Sequence, residues 1–250
     1  MTGPQRPARW YHEAMTWEPR TYRHMAAADD LIGFQVMHAE TDLHISASHD
    51  LSRLASALVA DLRADIERYI VSYPHFAESF APVAADASAP EIVRAMCAAG
   101  AAAGVGPMAA VAGAIAERVA FGLESYSREV IVENGGDLYL VGRAARRVLL
   151  VAGDSPLSGA VAIELASGAL PVAVCTSSGR VGHSISLGDA HAMTVLATDG
   201  ALADAVATAA GNRVHGPGDI ERALAFAVGV GGVRGAVAIA GDRIGAMGDV

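Results

Sequence analysis

The clearest periodicity in the chain lies between Asp50 and Pro74. Leu51, Leu54, Leu58, Leu62, Ile66 and Tyr69 recur at three- and four-residue spacing, which lines one face of a helix. Asp50 is placed to cap that helix and Pro74 to end it, because proline offers no backbone donor. Upstream, Phe34 to Ile45 alternates as strands do, with Glu40 and Asp42 around Thr41. Residues 76–90 are rich in Ala, Pro and Ser and read as a loop, and a short helix follows over Glu91 to Ala99. Gly104-Val105-Gly106-Pro107-Met108 then opens a helix to Gly122, with Met108, Val111, Ile115 and Val119 on one face. Strands are predicted at 129–133, 137–142 and 147–152, at Leu170–Val174 and over Ala190–Ala197. Asp199-Gly200 starts a helix, Ala201 to Ala210, which Gly211 closes, and Asp219 caps another to Val228. The tail from Gly229 reads as a strand pair turning near Gly241-Asp242. Residues 1–30 read as an irregular or edge segment. Without a repeat or a low-complexity linker, residues 1–250 are expected to form one unit.

Composition narrows what that unit does. The 250 residues are 52% hydrophobic but only 5% aromatic, so the core must be built from Ala, Val, Leu and Ile. A formal net charge of −9 argues against sequence-independent binding to nucleic acid or anionic membrane, both of which need a basic face. Every residue in the Lys+Arg total of 18 is an arginine, which excludes Schiff-base chemistry, a Walker lysine and a Ser-Lys pair. Cys97 and Cys175 are far apart and suggest neither a disulfide framework nor a zinc site. Residues 95–116 carry no charge, but they are mostly Ala and Gly around Pro107 and lack the large apolar residues of an inserting helix. The polar stretch Met1 to Arg23 has no apolar leader, so the expected compartment is the cytoplasm.

Besides the helix start at Gly104–Met108, which reads as ordinary helix entry or as free amides attractive to phosphate, three stretches are candidates for chemistry. The first is the decapeptide Ile131 to Leu140, where an apolar run stops at Glu133-Asn134-Gly135-Gly136-Asp137 and a second begins. Asn-Gly is a preferred hairpin centre, and paired glycines also let a ligand approach bare backbone; both readings stand. The second is Cys175-Thr176-Ser177-Ser178-Gly179-Arg180 with Gly182-His183-Ser184, where hydroxyls, glycine amides and a guanidinium suit a polyanion. A nucleophilic Cys175 with His183 as base is the weaker reading, since cysteine at a strand end is usually packing. The third is Ala203 to Thr208. Asp204 and Thr208 lie four apart on one helical face among small apolar residues, so Asp204 either finds a partner, a hard divalent cation or a neighbouring backbone amide, or stays partly exposed.

The order of these pieces resembles the ApbE-type flavin transferase superfamily over residues 97–212, and residues 34–82 resemble a shorter cytoplasmic branch of it. The resemblance implies an α+β fold with antiparallel-rich sheets flanked by helices, in two lobes around a shared core. It implies that Gly106, Asn134, Gly135, Gly136, Thr176, Ser177, Ser178 and Gly179 line a flavin site, with Asp137 and His183 as the catalytic candidates. It implies Mg2+ on Asp204, Thr208 and the Ala109 carbonyl, and FAD or FMN as ligand or substrate. The transferases usually carry a Lys-Gly pair at the helix start, where this chain reads Met108-Ala109-Ala110-Val111. That departure counts against flavin transfer, and the leading expectation is a protein that binds a flavin or another nucleotide-like diphosphate with a divalent metal, as a transferase or hydrolase at the pyrophosphate. A non-catalytic flavin or nucleotide binder, and a biosynthetic enzyme using Glu133 and Asp137 as acid and base, are the alternatives. The expected partner is a small molecule, not nucleic acid or membrane, and a homodimer is compatible with the sequence.

Overall fold

The strand-forming segments assemble in the order in which they are made. A computed structural model describes residues 30–179 and 187–250. It opens with a hairpin, β1 (Ile32–His38) and β2 (Thr41–Ala47), and continues with β3 (Val130–Asn134) and β4 (Asp137–Val141). Then come β7 (Val172–Ser177), β8 (Ala192–Ala197), β9 (Val233–Ala240) and β10 (Arg243–Gly248). These form one eight-stranded sheet, β1-β2-β3-β4-β7-β8-β9-β10, with every neighbouring pair antiparallel. The two strands that leave this order, β5 (Arg146–Leu149) and β6 (Ala162–Leu165), pair with each other as a separate hairpin.

Alternation along each strand separates two apolar clusters. Leu43, Ile45, Val130, Val132, Tyr139, Ala173, Cys175, Met193 and Val195 face the helices. Their neighbours Leu140, Val172, Val174, Ala192, Leu196, Val237 and Ile239 face the β5–β6 hairpin with Val148, Ile163 and Leu165. The antiparallel α+β expectation holds, and the two lobes are realised as layers on opposite faces of one sheet.

The helical layer holds α1 (Ser52–Ser72), α2 (His75–Glu78), α3 (Glu91–Ala103), α4 (Val111–Glu124), α5 (Gly200–Gly211) and α6 (Ile220–Gly229). Helix α4 covers β3 and β4, α5 covers β7 and β8, and α6 covers β9 and β10. In α1 the deepest line is Ala55, Val59, Ile66 and Tyr69, and the predicted leucines flank it half-buried. The helix starts at Ser52, whose amide donates to Asp50 Oδ1 (2.8 Å), and it ends just before Pro74 as predicted.

Several expectations need correction. The segment expected as a loop over 76–90 begins inside a single helical turn, α2, which runs to Glu78. Helix α3 continues four residues past Ala99, to Ala103, because Gly104 closes it in the left-handed region (φ 76°). Gly104 therefore ends one helix and does not uncover the next; a 3-10 turn, Pro107–Ala110, leads into α4 instead. The strand expected at 147–152 ends at Leu149, and β6 was not predicted at all. Asp199 does cap α5, accepting from Leu202 N (2.7 Å). Asp219 makes no cap bond; its carboxylate accepts from His215 N and Arg222 instead.

No single described helix is long and apolar enough to cross a membrane. Only α3 with the Pro107–Glu124 segment passes as a pair, and that pair is bent by 104°.

Candidate functional site

The site forms where the β3–β4 turn meets the start of α4 and one face of α5. Asn134 pairs with Asp137 across the hairpin, so the two turn residues are Gly135 (φ 68°) and Gly136 (φ 105°). The turn is centred one residue later than Asn-Gly would place it. Both positions lie in the left-handed region, which side chains disfavour and which suits the twist of a two-residue hairpin. The shift has a chemical result. Asn134 and Asp137 become a cross-strand pair on the helix face, in line with Val132 and Tyr139.

Each side chain then finds a partner in the helical layer, the turn or the neighbouring strand. Asn134 Nδ2 donates to the Ala112 carbonyl in the first turn of α4 (3.1 Å). Glu133, on the opposite face, curls back so that its Oε1 accepts from Gly136 N (2.9 Å). Asp137 Oδ1 accepts from Thr176 N (3.2 Å) on the neighbouring strand. Asp204 reaches from α5 to the start of α4, where Oδ2 accepts from Gly113 N (2.9 Å). The helix N-terminus supplies uncovered amides there, and the carboxylate fills them.

The close approach that makes this possible is a glycine contact. A Cβ on Gly113 would lie 2.1 Å from the Gly200 carbonyl oxygen and 2.8 Å from Asp204 Cβ. On Gly200 it would lie 2.5 Å from the Gly113 carbonyl oxygen. Glycine at both positions lets α4 and α5 meet backbone to backbone. Beside this contact, Glu117 Oε2 accepts from Gly200 N (2.9 Å), and burial raises its pKa.

Electrostatics make the pair of aspartates unusual. Burial pushes Asp204 up to about 7, against the pull of the Gly113 and Ala112 amides. Asp137 is raised well above the ordinary carboxylate range, first by burial and then by the nearby charge of Asp204. The Cys175 thiol and the Thr176 amide oppose that rise. Cys175 itself, 3.7 Å from the Gly200 carbonyl, is pushed up by burial and by both aspartates. A thiol held protonated in this way is a poor nucleophile, which disfavours the Cys175–His183 reading.

The other predicted residues spread around this centre. Thr208 is half-buried one turn beyond Asp204 on α5, and the Pro107–Ala110 turn that carries Ala109 packs on the same helix. Thr176 contributes its amide to Asp137 but points its side chain to the far face, where its hydroxyl meets Thr194 Oγ1 (2.9 Å). Ser177 and Ser178 are buried, and Gly179 N donates to the Ala190 carbonyl (2.9 Å). Gly106 is buried because a Cβ there would lie 1.8 Å from the Ser79 carbonyl oxygen. That contact explains the glycine by packing. His183, Arg180 and Gly182 lie outside the described residues.

Gly113 and Glu117 go unmarked in the sequence reading, and Gly200 enters it only as a helix start. Glycines inside two alanine-rich helices were the available signal, because an exposed mid-helix glycine is costly and is kept for close approach.

A divalent cation fits this donor set. Among the described residues no group of three or more His, Cys, Asp or Glu forms a ready-made metal site. What is present is a set of hard oxygens: a buried carboxylate on α5, a hydroxyl one turn away and carbonyls of the adjoining turn. A second buried carboxylate is close enough to repel the first. A cation placed there would relieve two desolvated, mutually repelling carboxylates.

Comparisons with known proteins agree with this architecture. A family model described as "AbpE bacteria" matches residues 23–230. A UPF0280 protein of Methanocaldococcus jannaschii is 41% identical over 203 residues, covering 78% of this chain and 82% of the relative. A UPF0280 protein of Methanopyrus kandleri is 42% identical over 227 residues, covering 87% and 91%. Among solved structures, the flavin transferase ApbE of Vibrio cholerae superposes with a TM-score of 0.57 at 14% identity, over 88% of this chain and 97% of that one. The apo flavinyl transferase ApbE of Pseudomonas stutzeri gives 0.55 at 15% identity, over 87% and 94%. The chain therefore belongs to the family that the matched model describes, together with the UPF0280 proteins, and it has the fold of the ApbE flavin transferases.

Proposed function

We propose that this protein binds a flavin nucleotide together with Mg2+ and acts as a transferase at the pyrophosphate of FAD. The observation that carries the reading is the buried Asp137–Asp204 pair set against the start of α4, in a chain with the ApbE fold. Asp204, the Thr208 hydroxyl and the Ala109 carbonyl would hold the metal. Bound there, Mg2+ supplies positive charge to a diphosphate, which a chain of net charge −9 without lysine otherwise has to find in arginines and amides. The Gly135-Gly136 turn, bare of side chains, would let the ligand approach its backbone closely, with Gly179 at the end of the neighbouring strand. Asp137 has a raised affinity for protons, which suits a group that takes a proton from an acceptor hydroxyl and holds it on a carboxylate oxygen. His183 is the second candidate for that proton. Free, buried Cys97 and Cys175 are compatible with the reducing cytoplasm, where we place the protein.

Calorimetric titration with FAD, with and without Mg2+, tests the reading on wild type and on Asp204→Asn, which keeps an acceptor for the α4 amides. Metal-dependent binding in wild type that is lost in the variant is expected, with AMP or FMN released on incubation. Binding that ignores both the metal and the substitution would remove the proposal. A second reading, a flavin binder without transfer, is favoured by Met108-Ala109-Ala110-Val111 standing where the transferases carry Lys-Gly. Tight, metal-dependent binding with no product selects it.

A further inference from the structure

Ser178 and Gly179 bond to the Ala190 carbonyl, next to a side chain that the reading above does not use. His191, buried immediately before β8, joins three segments. Its Nδ1 accepts from Gly241 N (3.1 Å) in the β9–β10 turn. Because Nδ1 is the acceptor, the ring proton sits on Nε2, which faces Asp154 Oδ1 (3.3 Å) in the loop between β5 and β6. Ser155 of the same loop donates to the Gly241 carbonyl (2.7 Å), so loop and turn are bonded to each other as well.

The backbone of His191 links this clip to the candidate site. His191 N donates to the Ile239 carbonyl (2.9 Å), and the carbonyl on the other side of the same peptide, that of Ala190, accepts from Gly179 N (2.9 Å). Ser178 Oγ also reaches the Ala190 carbonyl (3.5 Å). The Ala190–His191 peptide lies just outside the end of β8, where a ladder frays unless something pins it. The backbone bond to Ile239 ties it to β9, and the imidazole adds a second tie, to the β9–β10 turn.

We propose that His191 is a positioning residue: by fixing the Ala190–His191 peptide against the β9–β10 turn, it sets the place of the Ser178-Gly179 turn that the ligand would meet. The inference rests on the ligand reading only for its purpose; the mechanical link stands on the hydrogen bonds alone.

Two near-isosteres separate the halves of the clip. His191→Asn keeps an acceptor at the Nδ1 position, whereas His191→Gln keeps a donor at the Nε2 position and loses the bond to Gly241. Amide hydrogen exchange at Gly179 and Gly241, measured without ligand, reads the position of the turn. Exchange at Gly179 is expected to rise about tenfold in His191→Ala and His191→Gln and to stay near wild type in His191→Asn. Melting temperatures recorded alongside should not follow that order, since a general loss of packing would affect the Asn variant too. Titration with FAD and Mg2+ should then weaken in the same order as the exchange. Unchanged Gly179 protection in His191→Ala overturns the proposal. So does recovery by Gln as complete as by Asn, or an affinity that ignores the exchange. Wild type that binds no FAD removes the ligand reading instead, and the exchange series then decides the link by itself.

Discussion

Asp204 meets two opposing demands. The amides of Ala112 and Gly113 favour its charged form, while burial favours the neutral one and wins, leaving it at about 7. The folded chain therefore keeps a proton that an unfolded chain gives up. That contribution is complete below the ordinary carboxylate range and is lost as pH rises through about 7. Metal-free protein should lose stability over this window, by at most about 1.4 kcal/mol per pH unit from this one group. Asp204→Asn should flatten the slope, and so should a saturating divalent cation. Denaturant midpoints of the two proteins across the window measure it; parallel curves would show that Asp204 is not the source. A second residue-scale test concerns Gly106 and Gly104. Gly106→Ala drives a methyl into the Ser79 carbonyl and should cost about 3 kcal/mol. Gly104→Ala meets nothing within 4 Å, and only its left-handed backbone opposes it, at a cost of about 1–2 kcal/mol. Urea midpoints that rank the two in reverse would refute the packing account of Gly106.

At the scale of elements, the contact between α4 and α5 decides where the aspartates sit. Gly113→Ala cannot be absorbed by a side chain moving aside, because the obstacle is the Gly200 backbone. The helices must separate, and Asp204 moves with α5. The variant should therefore lose about 2 kcal/mol or more and also lose metal-dependent binding at temperatures where it remains folded. A stable variant with normal binding would show that the helices tolerate a wider spacing. Helices were the most legible elements: the stripe in α1, the cap at Asp199 and the stop at Pro74 are local signals, and the structure repeats them. The β3–β4 turn was legible as a hairpin but not in its register, because both Asn-Gly and Gly-Gly satisfy the turn chemistry and the flanking strands choose between them. Strand β6 escaped because four residues give too short an alternation to stand out. In the site, Asp204 was read with both of its partners open. The structure shows the amide partner and leaves room for the cation reading. The closeness of Cys175 to Asp137 could not be read, since it depends on β4 pairing with a strand more than thirty residues further on.

For the whole molecule, the decisive fact is that both apolar clusters lean on one sheet. Val172 and Val174 belong to one cluster and Ala173 and Cys175 to the other, so neither layer can melt while the strand between them persists. Calorimetry should show a single transition for the chain, with the β5–β6 hairpin unfolding together with the helical layer. Two resolved transitions would mean that the layers are independent and that the single-unit reading is wrong.

The order of that sheet also bears on how the protein is made. Read across the sheet, the described strands follow their order in the chain, and among them only the β5–β6 hairpin steps aside. Each new strand leaving the ribosome therefore meets its neighbour already in place, and no gap is held open for a later segment. Vectorial synthesis can lay the sheet down from one edge to the other, and the growing edge passes from strand to strand until β10 takes its place there.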